Sequence, residues 1–171
     1  MKKVKVDYKD YFPQTMEQMC GNGLLLVTKG KNHKANIMTI GWGTIGSIWG
    51  KPVFIVLVRP SRYTYKLLEE ITEFTVNVPS DKLAEAANYC GTVSGRDLDK
   101  FQETKLTPIP LQEVQVPIIE ECHIHYACRI LHQHNLIPEN LDSSVKKRFY
   151  PKNDYHRVYY GEILATYADK Q

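Results

Sequence analysis

The sequence predicts a mainly β fold with flanking helices, a closed antiparallel barrel, and three observations carry that expectation. Apolar runs of strand length recur at Leu24–Thr28, Ala35–Ile40, Val53–Val58 and Glu73–Val78, with two more, Glu121–Ile130 and His156–Tyr167, late in the chain. Helical patterns are short and fall between those runs. Turn formers punctuate the early runs, as in Lys29-Gly30-Lys31-Asn32. Many strands with helices inserted between them suit a sheet rolled on itself with helices outside.

Taken in order, Leu24–Thr28 turns at Gly30 and returns antiparallel as Ala35–Ile40. Val53–Val58 is apolar on both faces, between Pro52 and Pro60, so it needs cover from the barrel interior and from something else. Tyr65–Glu70 reads as a short helix with Thr64 near its N-cap. Glu73–Val78 alternates, placing Phe74, Val76 and Val78 inward. Ser80–Tyr89 is a second helix, with Ser80 as cap, Asp81 at the positive end of the dipole and Gly91 at the exit. A third short helix starts after Asp97. Residues 132–155 hold Pro138, Asn140, Pro151 and Asn153 without clear periodicity. They read as an excursion that carries part of a lid or a subunit contact.

At 171 residues the chain reads as a single domain over 1–171, with enough apolar content (43%) for its own core. A net charge of +3 suits an anionic small molecule, but no basic stripe argues for nucleic acid. Lys2, Lys3 and Lys5 are not followed by an apolar leader segment, and the run at Val53–Val58 is too short to cross a bilayer. Cys20, Cys90, Cys122 and Cys128 show no C-x-x-C spacing, so reduced thiols in the cytoplasm are the expectation.

Chemistry concentrates in two cassettes, Arg59-Pro60-Ser61-Arg62-Tyr63-Thr64 and Cys90-Gly91-Thr92-Val93-Ser94-Gly95-Arg96-Asp97-Leu98-Asp99-Lys100-Phe101. Guanidinium forks, an ammonium and short hydroxyls together suit a phosphate monoester. Upstream, Asn36-Ile37-Met38-Thr39-Ile40-Gly41-Trp42-Gly43 ends in an aromatic between glycines, either a core residue or a platform for a flat ring. Flavin mononucleotide (FMN) carries both a phosphate and a flat ring.

Three other patterns are set aside. Gly41, Gly43 and Gly46 spell G-x-G-x-x-G, but Gly50 and Pro52 leave no room for the helix that the dinucleotide motif requires. Cys122, His123, His125, Cys128, His132 and His134 invite a metal. Strand alternation divides them between a core face at even positions 122–130 and a wetter face at odd positions 123–129, so no metal is expected. Ser94 lacks a nucleophile-elbow context and a histidine placed to activate it, so no catalytic side chain is assigned.

In this order, spread over most of residues 24 to 167, the motifs resemble those of the flavin reductase-like family of FMN-binding split-barrel proteins. That family includes flavoredoxins and the reductase components of two-component monooxygenases. The resemblance rests on Asn36-Ile37-Met38-Thr39 with Trp42, Pro52, both cassettes, Glu73-Phe74-Thr75-Val76-Asn77-Val78-Pro79, and His156 with Tyr160-Gly161-Glu162-Ile163. It implies a homodimer of six-stranded split barrels, each holding FMN non-covalently near the subunit interface, which would cover the second face of Val53–Val58. Asn36, Met38, Thr39 and Trp42 would then line the isoalloxazine. Arg62, Thr64 and Lys100, with Arg59, Ser61 and Ser94, would hold the phosphate and ribityl chain, and His156 would lie near the cofactor. The implied activity is transfer of hydride from NADH or NADPH to flavin N5, serving a monooxygenase or another electron-transfer partner. A flavoredoxin-like carrier reduced by a protein partner is the alternative, and a non-redox binder of flavin or another phosphorylated aromatic is a third reading. The stretch from His132 to Tyr155 is longer than the family's pattern and bears on access to the flavin face.

Overall fold

A computed structural model describes residues 2–31 and 34–170. Asn32 of the expected turn lies outside the described residues. The chain opens with β1 (Lys3–Val6) and a 3-10 turn leading into α1 (Phe12–Cys20), which has Pro13 in its first turn, where a missing N–H costs nothing. Then come β2 (Leu24–Lys29), β3 (Ala35–Ile40), β4 (Gly43–Ile48), β5 (Lys51–Val58), α2 (Tyr63–Glu70) and β6 (Glu73–Val78). α3 (Ala84–Thr92) and α4 (Lys100–Thr104) precede a two-stranded ribbon of β7 (Pro108–Ile109) and β8 (Ile118–Ile119). Two long strands, β9 (Ile124–Asn135) and β10 (Arg157–Asp169), flank α5 (Ser143–Phe149).

One antiparallel sheet runs β3-β2-β6-β9-β10-β5-β4, and β1 pairs with the far half of β10. Among the described residues the sheet thus has eight strands rather than six. Its ladder also does not close: the path ends at β3 and β4, and Gly41 and Trp42 carry the chain between those two edges. β4 occupies the place where a dinucleotide motif would need a helix. Its glycines and Ser47 hide it in the sequence, but Gly43 is needed there, because a Cβ would lie 2.5 Å from the Ile55 carbonyl oxygen.

The inward faces build one core, with Leu24, Leu26, Phe54, Val56, Phe74, Val76, Val78 and Tyr126 among its members. The outward faces of β2, β3 and β9 build a second, where Leu25, Val27, Ile37 and Ala127 meet Ala87, Cys90, Phe101, Val114 and Ile119. β2 is therefore buried on both faces, whereas the outward Ile55 and Leu57 of β5 are only half-buried. The inward placement of Phe74, Val76 and Val78 agrees with their alternation.

Several sequence expectations need correction. In 80–89, Asp81–Leu83 form a 3-10 turn, the Ser80 side chain makes no cap bond, and Gly91 lies inside α3 rather than at its exit. β9 runs on to Asn135, and α5 gives the excursion a helix, capped by the Asp142 carboxylate accepting from Ser144 N and Val145 N. The odd positions 123–129 are wet only at the ends: Arg129 is exposed and His123 half-buried, but His125 and Ala127 are fully buried beneath the segment that carries Val114, Val116 and β8. Among the described residues no three His, Cys, Asp or Glu gather as a metal-ligand set. All four cysteines are free, three of them buried.

His125 donates from Nδ1 to Asn77 Oδ1 at 2.8 Å, which also accepts from Ile119 N at 3.1 Å. Burial, helped by the charges of Lys3 and His123, pulls the imidazole down to about 3, against a carbonyl contact from Cys122. The folded chain therefore keeps His125 neutral where the unfolded chain protonates it. That stabilisation is complete above the unfolded value near 6.5 and is lost as pH falls toward 3, by up to about 1.4 kcal/mol per pH unit. Urea unfolding of the wild type against His125→Gln between pH 7 and pH 4 should show the variant with the shallower pH dependence.

Candidate functional site

Two concavities adjoin beside the β3–β4 crossing and share Met38 and Arg62. The first is cationic. β3 supplies Asn36 and Met38, the turn into α2 supplies Ser61 to Thr64, the end of α3 and its following loop supply Cys90 to Arg96, and Lys100 opens α4. Arg62, Arg96 and Lys100 are among its lining residues, and among the described residues no Asp or Glu lines it. The start of α2 adds first-turn N–H groups and the positive end of a helix dipole, a setting that favours an anion.

The lysine is the least ordinary of these groups. Lys100 is only 5% exposed, and its ammonium donates to the Cys90 carbonyl at 2.7 Å. Burial pulls it below the ordinary lysine value; Cys90 opposes that shift and Arg62 adds to it. Burial also pushes the Cys90 thiol up to about 11, so the sulfur stays protonated. A buried cation without a carboxylate in its pocket is costly unless an anion compensates it.

The loop holding this pocket fits closely. Asn36 Nδ2 donates to Thr64 Oγ1 at 3.0 Å, and both residues are buried. Gly95 lies against that amide: a Cβ there would sit 1.8 Å from Asn36 Oδ1, so only glycine lets the 93–96 loop close over β3. Ser94 Oγ accepts from Arg96 N at 3.2 Å, and the Arg96 guanidinium donates to the Ser61 carbonyl at 3.1 Å.

The second concavity is aromatic, lined by Met38, Thr39, Ile40, Gly41, Trp42, Leu57, Arg59, Arg62 and His156. Trp42 is 39% exposed, which removes the core alternative for it. It meets Phe149 edge-on at 5.1 Å and the His156 ring at 5.0 Å. The Thr39 hydroxyl is bound to the Ala87 carbonyl.

All eleven residues singled out in the sequence line one of these two concavities, with three changes of position or partner. Asn36, expected beside the ring, lies in the cationic pocket. Arg59, expected at the phosphate, donates instead to the carbonyls of Asp154 (2.7 Å) and Phe149 (2.9 Å). Ser61 Oγ donates to Asp154 Oδ2 at 2.5 Å. Both are occupied by the excursion because residues 149–154 fold back over the end of β5. Cys90, Tyr63 and Arg96 also line the cationic pocket, and all three stand in the two cassettes. Leu57 and Tyr150 carried no motif.

An open-edged barrel with an acid-free cationic pocket beside an aromatic one offers adjoining places for an anion and a flat ring. The Flavin reductase like domain pattern matches residues 16–171, and the chain belongs to that family. The flavoredoxin of Desulfovibrio vulgaris (Miyazaki F) is 26% identical with a TM-score of 0.69, over 86% of this chain and 69% of that one. A Shewanella frigidimarina NCIMB 400 protein with a split barrel domain gives a TM-score of 0.71 at 16% identity, over 97% of this chain and 76% of that one, a likeness of fold. The fold is thus a split barrel, mainly β with flanking helices. An uncharacterised protein of Archaeoglobus fulgidus is 33% identical over 99 residues, 58% of this chain, which spans about half (55%) of that relative's length. Among the described residues no helix is long and apolar enough to cross a membrane.

Proposed function

We propose that the chain binds FMN non-covalently and acts as an oxidoreductase that draws electrons from NADH or NADPH. The observation that carries this reading is the adjacency of the acid-free cationic pocket and the Trp42 pocket, joined through Met38 and Arg62. The donor chemistry fits the cofactor. Arg62, Lys100, the Thr64 hydroxyl and the start of α2 would hold a phosphate, and Met38, Thr39, Trp42 and Leu57 would receive the ring system. Bound FMN supplies hydride and electron transfer, so the protein's own part is binding, orientation and electrostatics. Lys100 and Arg62 anchor the phosphate end. Trp42 and Leu57 give the ring apolar walls, and His156 offers a polar group beside them.

A homodimer accompanies this reading. Ile55 and Leu57 are half-buried on the outer face of β5, and Trp49, at the β4–β5 turn, is 60% exposed beside His132 and Tyr160. A second copy would cover that face. Three buried free thiols suit a reducing compartment such as the cytoplasm. The flavoredoxin neighbour favours one second reading, a carrier reduced by a protein partner.

Anaerobic titration of FMN-loaded protein with NADH and then NADPH tests the proposal. Bleaching of the flavin bands by either nucleotide is the expected result and names the donor. Bands that persist with both would replace the reductase with the carrier, and a protein unable to take up FMN would overturn both readings.

A further inference from the structure

Tyr150 belongs to the excursion, yet only 4% of it is exposed. Its ring stacks on Tyr155 at 4.9 Å, and the Arg59 guanidinium lies over it at 5.0 Å. Arg59 also grips the carbonyls of Phe149 and Asp154, on either side of Tyr150 in the chain. Tyr150 is thus fixed in place, with its hydroxyl 2.8 Å from Nδ1 of His156. His156 is itself 8% exposed, lies against Trp42 and lines the aromatic pocket.

A neutral imidazole carries one N–H and one lone pair, and its neighbours decide which nitrogen has which. Burial, with the charges of Arg59 and Arg62, pulls His156 down to about 4 against the opposing charge of Asp154, so the ring is neutral at pH 7. Burial raises the Tyr150 phenol, Arg59 opposing, so it keeps its proton. Between these two groups the phenol is the stronger acid and the ring nitrogen the stronger base. The phenol therefore donates.

We propose that Tyr150 is a positioning residue whose hydroxyl donates to Nδ1 of His156, fixing the imidazole proton on Nε2 and giving the aromatic pocket a neutral N–H donor. The group it serves is an acceptor atom, a carbonyl oxygen or ring nitrogen, on a bound heterocycle. Only the identity of that heterocycle rests on the flavin reading above.

Nitrogen-15 NMR of histidine-labelled protein at pH 7, with His156 assigned through His156→Gln, tests this before any ligand is added. The expected result is a protonated Nε2 and a bare Nδ1 in the ligand-free wild type, and a mixture of both tautomers in Tyr150→Phe. The same variant should bind both FMN and riboflavin about 2–10-fold more weakly, as the loss of one neutral hydrogen bond predicts. A wild-type ring protonated on Nδ1, or on both nitrogens, overturns the proposal, and so does a Tyr150→Phe protein whose His156 tautomer is unchanged. The wild-type spectrum decides even if Tyr150→Phe fails to fold. A protonated Nε2 in a protein that binds no flavin upholds the tautomer assignment and overturns the flavin reading instead.

Discussion

Arg62→Ala should weaken FMN binding by about 10–100-fold, the loss of a charge-assisted hydrogen bond, while riboflavin affinity changes little. Among the described residues the Arg62 side chain makes no hydrogen bond or ion pair, and it stands where the two concavities meet, so its removal breaks no internal side-chain hydrogen bond. Riboflavin has the ring and the ribityl chain but no phosphate, so the FMN-to-riboflavin ratio isolates the phosphate term. The wild-type ratio should also fall as salt rises, and less steeply in the variant. Lys100→Met should depress the same ratio but carry a second cost. Its ammonium also satisfies the Cys90 carbonyl, so the variant leaves that acceptor unpaired. Fluorescence titration with both ligands at two salt concentrations checks this. A ratio unchanged in Arg62→Ala would place the phosphate elsewhere.

Gly95→Ala should be nearly as damaging to binding and should also cost some stability. The added methyl would strike Asn36 Oδ1, forcing the amide to turn and give up its bond to Thr64. Both displaced groups line the cationic pocket, so FMN affinity should fall by about 10-fold or more, the value of a buried hydrogen bond with its unsatisfied partners. Asn36 and Thr64 are buried, so losing their bond should also lower folding stability by about 1–3 kcal/mol, read as a drop in the urea midpoint. Asn36→Ala combined with Gly95→Ala removes the clash. If the double variant binds FMN no worse than Asn36→Ala alone, the steric account holds.

How much of this was legible in the sequence depends on where the signal is local. Strands such as Glu73–Val78 declare themselves by alternation, because their inward faces meet one core. The two cassettes declare the pocket by composition, since cations beside short hydroxyls have few other uses at strand and helix ends. β4 was illegible because its glycines and serine have low strand preference, and it exists through its pairing with β5. His125 reads as a wet-face histidine on alternation alone. Only the segment carrying Val114 to Ile119, which returns over β9 from elsewhere in the chain, makes it buried. The partners of Arg59 are hidden from the sequence for a related reason. Its partners are backbone carbonyls nearly a hundred residues away, and carbonyls leave no trace in a sequence pattern.

The way the excursion is hung bears on how such a protein can diversify. The β9–β10 ladder reaches Asn135 and Arg157, and Leu136 N donates to the His156 carbonyl at 3.1 Å, so both ends of the intervening segment are pinned together. Lengthening a loop whose ends are already joined costs little, about 0.6 kcal/mol for each doubling. Insertions near Pro138–Asn140 would leave every barrel strand in register, while those after Phe149 would pull Arg59 and Tyr150 out of place. One end of the segment is thus free to be rewritten for new visitors, and the other is tied to the pocket it overlooks.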